Sequence, residues 1–381
     1  MKRLRIRFLP TVAAVLAVLV AAELVLRAIG YSSLQWYRAD RELGWALRPR
    51  LSGWFSEERR SFVRVNSAGQ HDRDHPVDKP ENVYRIAVLG DAYSEAMQVA
   101  LQDSYWAQLP ERLESCGFRP GKRIEVLNFG VKDYGTTQAY LVLEKAAMRY
   151  RPDLVLLQFS NGNDVRDNFY ALDPIRGRPY FRLDARGELE LDGSFASAQP
   201  YVSRVSHQRQ LLTQIVDHSR VLQLARRVAI HLREMARGQT SAANEARDRD
   251  ALTAPRDARW EEAWRVTEAL IAKIGDVASR NGASTALVVV PFPFAVDPDL
   301  AQRERLRAEY GVADLTYPDR RVVSFARQHG MLGIMLAPRM QALAAATGSY
   351  LYGLNAGHWN ELGHRAAAEI IARELCANPS W

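Results

Sequence analysis

The stretch YRIAVLGDAYSEAMQV at residues 84–99 decides the fold. Residues 84–89 are an apolar run of β-formers with the length of one buried strand. Gly90 ends the run and Asp91 opens a helical stretch. A strand, a glycine turn and a helix N-terminus form a cradle in which free backbone N–H groups converge, a place for a nucleophile or an anion.

Outward from this stretch the text alternates. A helix is predicted over 103–115 and a second strand over 124–129, followed by the loop NFGVKDYG at 128–135. Residues 136–150 read as helix and 154–159 as a third strand, which runs into Ser160-Asn161-Gly162-Asn163-Asp164. Strands at 286–290 and 332–336 end at Pro291-Phe292-Pro293 and Ala337-Pro338, with helices at 260–281 and 319–329 among them. Such alternation predicts a parallel sheet covered on both faces, with its site beyond the carboxyl ends of the strands. Residues 165–258 interrupt the rhythm with a polar, turn-rich piece, one helix over 208–237 and a polar stretch through Pro255. That helix carries many arginines. It reads as a lid, as a basic face for membrane lipid or anionic glycan, or, most simply, as a helix packed by its leucines with a solvated arginine side.

The 381 residues, 47% apolar, suffice for a full core. The net charge of +7 comes from dispersed arginines without a nucleic-acid motif, so it reads as a solvated basic surface and no nucleic-acid partner is expected. Lys2, Arg3, Arg5 and Arg7 precede an apolar run over 8–22 that continues past Glu23 to Arg27. The run is long enough to enter a bilayer, and the basic flank predicts its N-terminal end in the cytoplasm and the rest outside. No small-x-small cleavage site with a polar flank follows, which favours a retained anchor over the competing reading, a cleaved signal peptide. The chain thus divides into an anchor at 1–30, an aromatic, proline-rich collar at 31–80 without catalytic signal, and a domain at 81–381 with 165–258 inserted. No metal-ligand spacing, phosphate loop or nucleotide fingerprint is present, so neither metal nor cofactor is expected.

Four blocks, in order, resemble those of the SGNH (GDSL-type) hydrolases, in particular their membrane-anchored bacterial type. The resemblance implies a three-layer α/β/α sandwich with a flavodoxin-like parallel sheet, plus the N-terminal transmembrane helix. It also implies serine-hydrolase chemistry: a serine attacks an ester, a histidine takes its proton, a carboxylate orients the histidine, and N–H groups with an asparagine hold the oxyanion. Gly90 and Asp91 match the first block, but Ala92 stands where the nucleophilic serine belongs. Ser94 lies about 200° further round a helix and points elsewhere. In the second block Asp133 takes the place of the oxyanion glycine, after Lys132. Its carboxylate either repels the oxyanion and fills the pocket or turns outward as a loop residue. Gly162-Asn163-Asp164 matches the third block, with Asn163 at the oxyanion asparagine, or else as an Asx turn. In NAGHWNELGH at 355–364, His358 falls at the catalytic base, while Ala356 and Asn355 stand where its carboxylate is expected. Asn355 is the remaining candidate to orient the imidazole, and His364 reads as structural.

Cys116 and Cys376 close the helix after the first block and the last helix of the chain. In a flavodoxin-like sheet those helices lie side by side, so the pair reads either as a disulfide or as two free thiols.

Loss of the nucleophile alone removes on the order of 10⁶-fold in a serine hydrolase. Together with the lost acid and glycine it reads as decay of the site. The first expectation is an exported, anchored protein with an impaired site that binds an acylated or anionic glycan or assists cell-surface polysaccharide modification. The alternative is an active esterase or O-acyltransferase with an unorthodox site centred on His358. A third reading is a basic surface protein that binds lipid or another envelope component through the 208–237 helix. An open polar pocket at His358 goes with the first two, a plugged one with the third.

Overall fold

The computed structural model describes residues 2–237, 250–353, 357–379 and 381. The N-terminal run forms helix α1 (Lys2–Ala28), and its segment Pro10–Ala28, with mean hydropathy 2.1, is long and apolar enough to cross a membrane. The collar holds two antiparallel hairpins, β1 (Tyr37–Asp40) with β2 (Gly44–Leu47), and β3 (Ser52–Phe55) with β4 (Ser61–Arg64).

The domain follows the predicted alternation. In chain order come β5 (Val83–Leu89), α2 (Ala92–Glu95), α3 (Leu109–Ser115), β6 (Arg123–Asn128), α4 (Thr136–Lys145), β7 (Leu154–Ser160) and α5 (Asp164–Asp167). The insertion contributes a hairpin of β8 (Tyr180–Leu183) and β9 (Leu189–Asp192), then α6 (Gln199–Val205), α7 (His207–His218) and α8 (Arg220–Arg237). Then follow α9 (Ala258–Arg280), β10 (Ser284–Val290), α10 (Leu300–Tyr310), α11 (Tyr317–Gln328), β11 (Leu332–Met335), α12 (Ala337–Thr347) and α13 (Glu361–Ala377).

The sheet has the order β11-β10-β7-β5-β6 and every pair in it is parallel. This is the flavodoxin-like order expected from the sequence, with its switch point where β5 lies between β6 and β7. β5 and β7 are buried along their whole length, which is why they read as unbroken apolar runs. Successive side chains pack on opposite faces. Ile86, Val88, Leu154, Leu156 and Val288 join the core under α3, α12 and α13, while Ala87, Leu89, Val155, Leu157 and Val289 join the one under α4, α9 and α11. Leu157 is buried to 1% exposure, so Leu157→Ala costs about 2–5 kcal/mol.

Helix α3 and helix α13 pack together on one face, and Cys116 is disulfide-bonded to Cys376, with Cα atoms 6.3 Å apart. Of the two readings the sequence left open, the bonded one holds.

The helix expected over 103–115 begins only at Leu109. Pro110 supplies the favoured start of a first turn, and Trp106 is pinned outside the helix by its indole N–H, which donates to the Ser94 carbonyl (2.8 Å). The single helix expected over 208–237 is two, because Ser219 is extended between α7 and α8. The leucine-packed reading of this helix is also corrected. Leu212 and Leu232 are 59% and 56% exposed, and neither helix walls the cavity described next.

Candidate active site

A cavity of about 350 Å³ opens beyond the carboxyl ends of β5, β7 and β10. Its walls come from Asp91, Ala92 and Tyr93 after β5, Asp133 after β6, Ser160, Gly162 and Asn163 at the end of β7, residues 291–294 after β10, and His358 before α13. The structure therefore brings Asp91, Ala92, Asp133, Asn163 and His358 to one cavity. Asn355 lies outside the described residues.

The first wall is built by Gly90 and Asp91. A Cβ on Gly90 would collide with Gln158 Oε1, the atom that accepts the Asp91 N–H at 3.0 Å, so only glycine permits this close approach. Asp91 caps α2 by accepting the Tyr93 N–H at 3.0 Å. Burial pushes the Asp91 carboxyl up to about 6, against the hydrogen bond from Tyr93 and the charge of His358. Ala92 lines the cavity and offers no side-chain oxygen. Ser94 is fully buried and engaged with Tyr105 (2.8 Å) and Gln158 (3.0 Å), away from the cavity, so no serine hydroxyl replaces the missing one on this helix.

Asp133 has φ 60°, the left-handed region that glycine occupies most readily. Its carbonyl accepts from buried Arg178 (2.6 Å), and the residue lines the cavity, which stays open beside it. Asn163 donates to Asp167 Oδ2 (3.1 Å), which fixes the amide beside the cavity. The stacked rings of Phe292 and Phe294, 4.9 Å apart, supply an apolar wall.

The expectation that the histidine has lost its carboxylate is overturned. His358 Nδ1 lies 2.6 Å from Glu58 Oε1, in the collar turn between β3 and β4. Glu58 is a residue that sequence reasoning missed, in a segment read as free of catalytic signal. Its neighbours fasten the same turn to the site: Glu57 pairs with Lys132 (3.4 Å) and Arg59 with Glu361 (2.6 Å). A carboxylate accepts only, so Nδ1 carries the proton and Nε2 is the lone-pair atom. Burial lowers the His358 pKa, but the hydrogen bond and charge of Glu58, with the charge of Asp91, outweigh it and raise it above the ordinary value. Tyr93 supports the ring at 5.1 Å and donates to the Gly357 carbonyl (2.7 Å). Asn360 caps α13 through the Gly363 N–H (3.0 Å) and fixes the helix start beside His358. His364 is buried in this helix, where burial pushes it down to about 3, as fits a structural residue.

No family model matches the chain, and no curated protein matches it. Solved structures do. One is TesA, 12% identical with TM-score 0.38, the match covering 76% of this chain and 97% of that one. Another is a catalytic mutant of Axe2, an acetylxylan esterase from Geobacillus stearothermophilus, 12% identical with TM-score 0.40, covering 78% of this chain and 96% of that one. A structure named as a lipolytic protein of the G-D-S-L family from Desulfitobacterium hafniense DCB-2 is 13% identical with TM-score 0.35, covering 76% and 99%. At these identities and scores no function is taken from the likeness.

Among the described residues no cluster of histidine, cysteine and carboxylate side chains has the arrangement to hold a metal ion.

Proposed function

We propose that this chain is an exported, membrane-anchored SGNH-type protein that binds an acyl ester or an acylated or anionic glycan in its cavity without forming an acyl-enzyme. One observation carries the reading: Ala92, whose side chain is only a methyl, lines the same open cavity as a histidine paired with a carboxylate. A methyl group has no proton to lose and no lone pair with which to attack. The base, its orienting acid and the asparagine are kept around the position the nucleophile would take. The basic flank ahead of α1 and the Cys116–Cys376 disulfide support export, since disulfides persist in oxidising compartments. The polar floor and the Phe292–Phe294 wall suit a ligand with both an ester or sugar hydroxyls and an apolar face.

A fluorophosphonate probe, which reacts covalently with an activated serine, tests the reading. Ala92→Ser should be labelled at residue 92 and the wild type should not. An unlabelled Ala92→Ser protein with an intact fold would count against a disarmed hydrolase site.

The Glu58–His358 pair favours a second reading, in which Nε2 takes a proton directly from water or a sugar hydroxyl as that oxygen attacks a bound ester, then returns it to the alcohol oxygen as the old ester C–O bond breaks. Turnover by the wild type that disappears in His358→Ala would select it.

A further inference from the structure

We infer that α7 and α8 lie in the interfacial layer of the membrane that α1 enters, their shared apolar face against the lipid acyl chains. The inference rests on α1 being a retained anchor, as proposed above, and goes beyond it by giving the insertion a membrane-bound role.

The first observation is a clip between the two parts. Glu23, inside the apolar segment Pro10–Ala28, accepts from the backbone N–H groups of Arg220 and Val221 and from the Ser219 hydroxyl, each at 3.0 Å. The two N–H groups are orphan donors of the α8 N-terminus, so the carboxylate caps the helix. Arg27 donates to the His218 carbonyl at the end of α7 (2.7 Å). Glu23 lies five residues before Ala28, roughly 7–8 Å along a helix axis. Amphipathic helices at a membrane surface bury their apolar face to a depth of about 5–10 Å. A helix clipped at Glu23 therefore starts at that depth.

The second observation is which side of the helices is packed. In a surface helix of a globular protein the apolar stripe faces the core. Here the polar side does. Gln223 is buried and accepts the Ser33 N–H (2.8 Å), Arg226 bonds the Ser33 carbonyl and Gln35, and Asp217 of α7 pairs with Arg48. The opposite side of α8 presents Leu224, Val228, Leu232 and Met235 in line, 39–60% exposed. Leu211, Leu212 and Ile215 of α7 are exposed as well. Exposed Arg227 and Arg233 border the stripe of α8, where phosphate headgroups would lie. Continuity with the spanning helix at headgroup depth makes lipid the occupant of this face. The collar that carries Glu58 is thereby held against the bilayer at three points.

The test uses the full chain with its native disulfide, reconstituted in phosphatidylcholine–phosphatidylglycerol vesicles. An environment-sensitive fluorophore is placed on Val228→Cys or Leu232→Cys, and the vesicles carry lipid spin-labelled near the headgroup end of the acyl chain or, for the reporter in α1, near its middle. Val18→Cys in α1 reports the anchor, and Ser324→Cys on α11 reports water. The expected result is a blue-shifted emission quenched by at least half at 228 and 232, with 324 unquenched. Quenching at 18 with 228 and 232 behaving like 324 would overturn the inference and leave the anchor standing, and would point to a protein partner for the face. No quenching at 18 would overturn the anchor and this inference with it.

Discussion

His358 Nδ1 and Glu58 Oε1 lie 2.6 Å apart although 300 residues separate them in the chain. The hairpin turn ahead of the sheet thus supplies the carboxylate that pairs with His358. In the Ala92→Ser background, Glu58→Gln should lower kcat by about 10²–10⁴-fold, because the imidazole loses the partner that fixes its tautomer and stabilises its cation. Steady-state hydrolysis of an aryl ester checks this, with circular dichroism to confirm folding.

The same pair sets a pH dependence. The His358 pKa is raised on folding, so the stability it contributes is fully present below about 6.5 and is lost as pH rises through the folded value. Thermal melts of the wild type and Glu58→Gln should therefore differ most below pH 6.5 and converge at alkaline pH. In Ala92→Ser the acid limb of the kcat/KM profile should lie above 6.5, because the base works only when neutral.

Asp133 supports a separate prediction. It holds a left-handed conformation and lines the cavity. Asp133→Gly should leave the melting temperature unchanged or raised. It should also increase turnover of Ala92→Ser several-fold, since a negative charge near the developing oxyanion is removed.

The disulfide closes a loop spanning 260 residues. The double change Cys116→Ser with Cys376→Ser should destabilise the chain by up to about 5 kcal/mol, measured by denaturant unfolding. Removal should leave the cavity's chemistry intact, because both cysteines sit at the far ends of α3 and α13 from it.

Glu95 gives a check on the packing beneath the site. It is buried, accepts from the Tyr37 hydroxyl (2.8 Å), and burial pushes its pKa up to about 8. A carboxyl raised on folding stabilises most below its unfolded pKa and loses that contribution as pH rises through about 8. Glu95→Gln should therefore raise the melting temperature increasingly as pH rises from about 5 to 8.

What could be read in the sequence was whatever is local. Residues 84–91 announce a strand, a glycine turn and a cap, because each depends on a few adjacent residues. Asn163 and His358 sit at strand and helix ends whose spacing is equally local. Glu58 could not be found that way. Its role arises only where a hairpin turn folds across the sheet, and a glutamate between Glu57 and Arg59 looks like any solvated turn. The exposed leucines of α7 and α8 were misread for a related reason. Amphipathic spacing tells that a helix has an apolar face, and tertiary contacts decide what that face meets. Ser219, an ordinary residue by propensity, breaks the helix because Glu23 captures the N–H groups that follow it.

The central claim is that the cavity is a hydrolase site silenced by the loss of its nucleophilic hydroxyl. Its most direct test is the hydrolysis of short-chain aryl esters by the purified wild type, Ala92→Ser, and Ala92→Ser with His358→Ala. Silence of the wild type, turnover by Ala92→Ser and loss of that turnover without His358 is the predicted result. Turnover by the wild type that equals that of Ala92→Ser would contradict it.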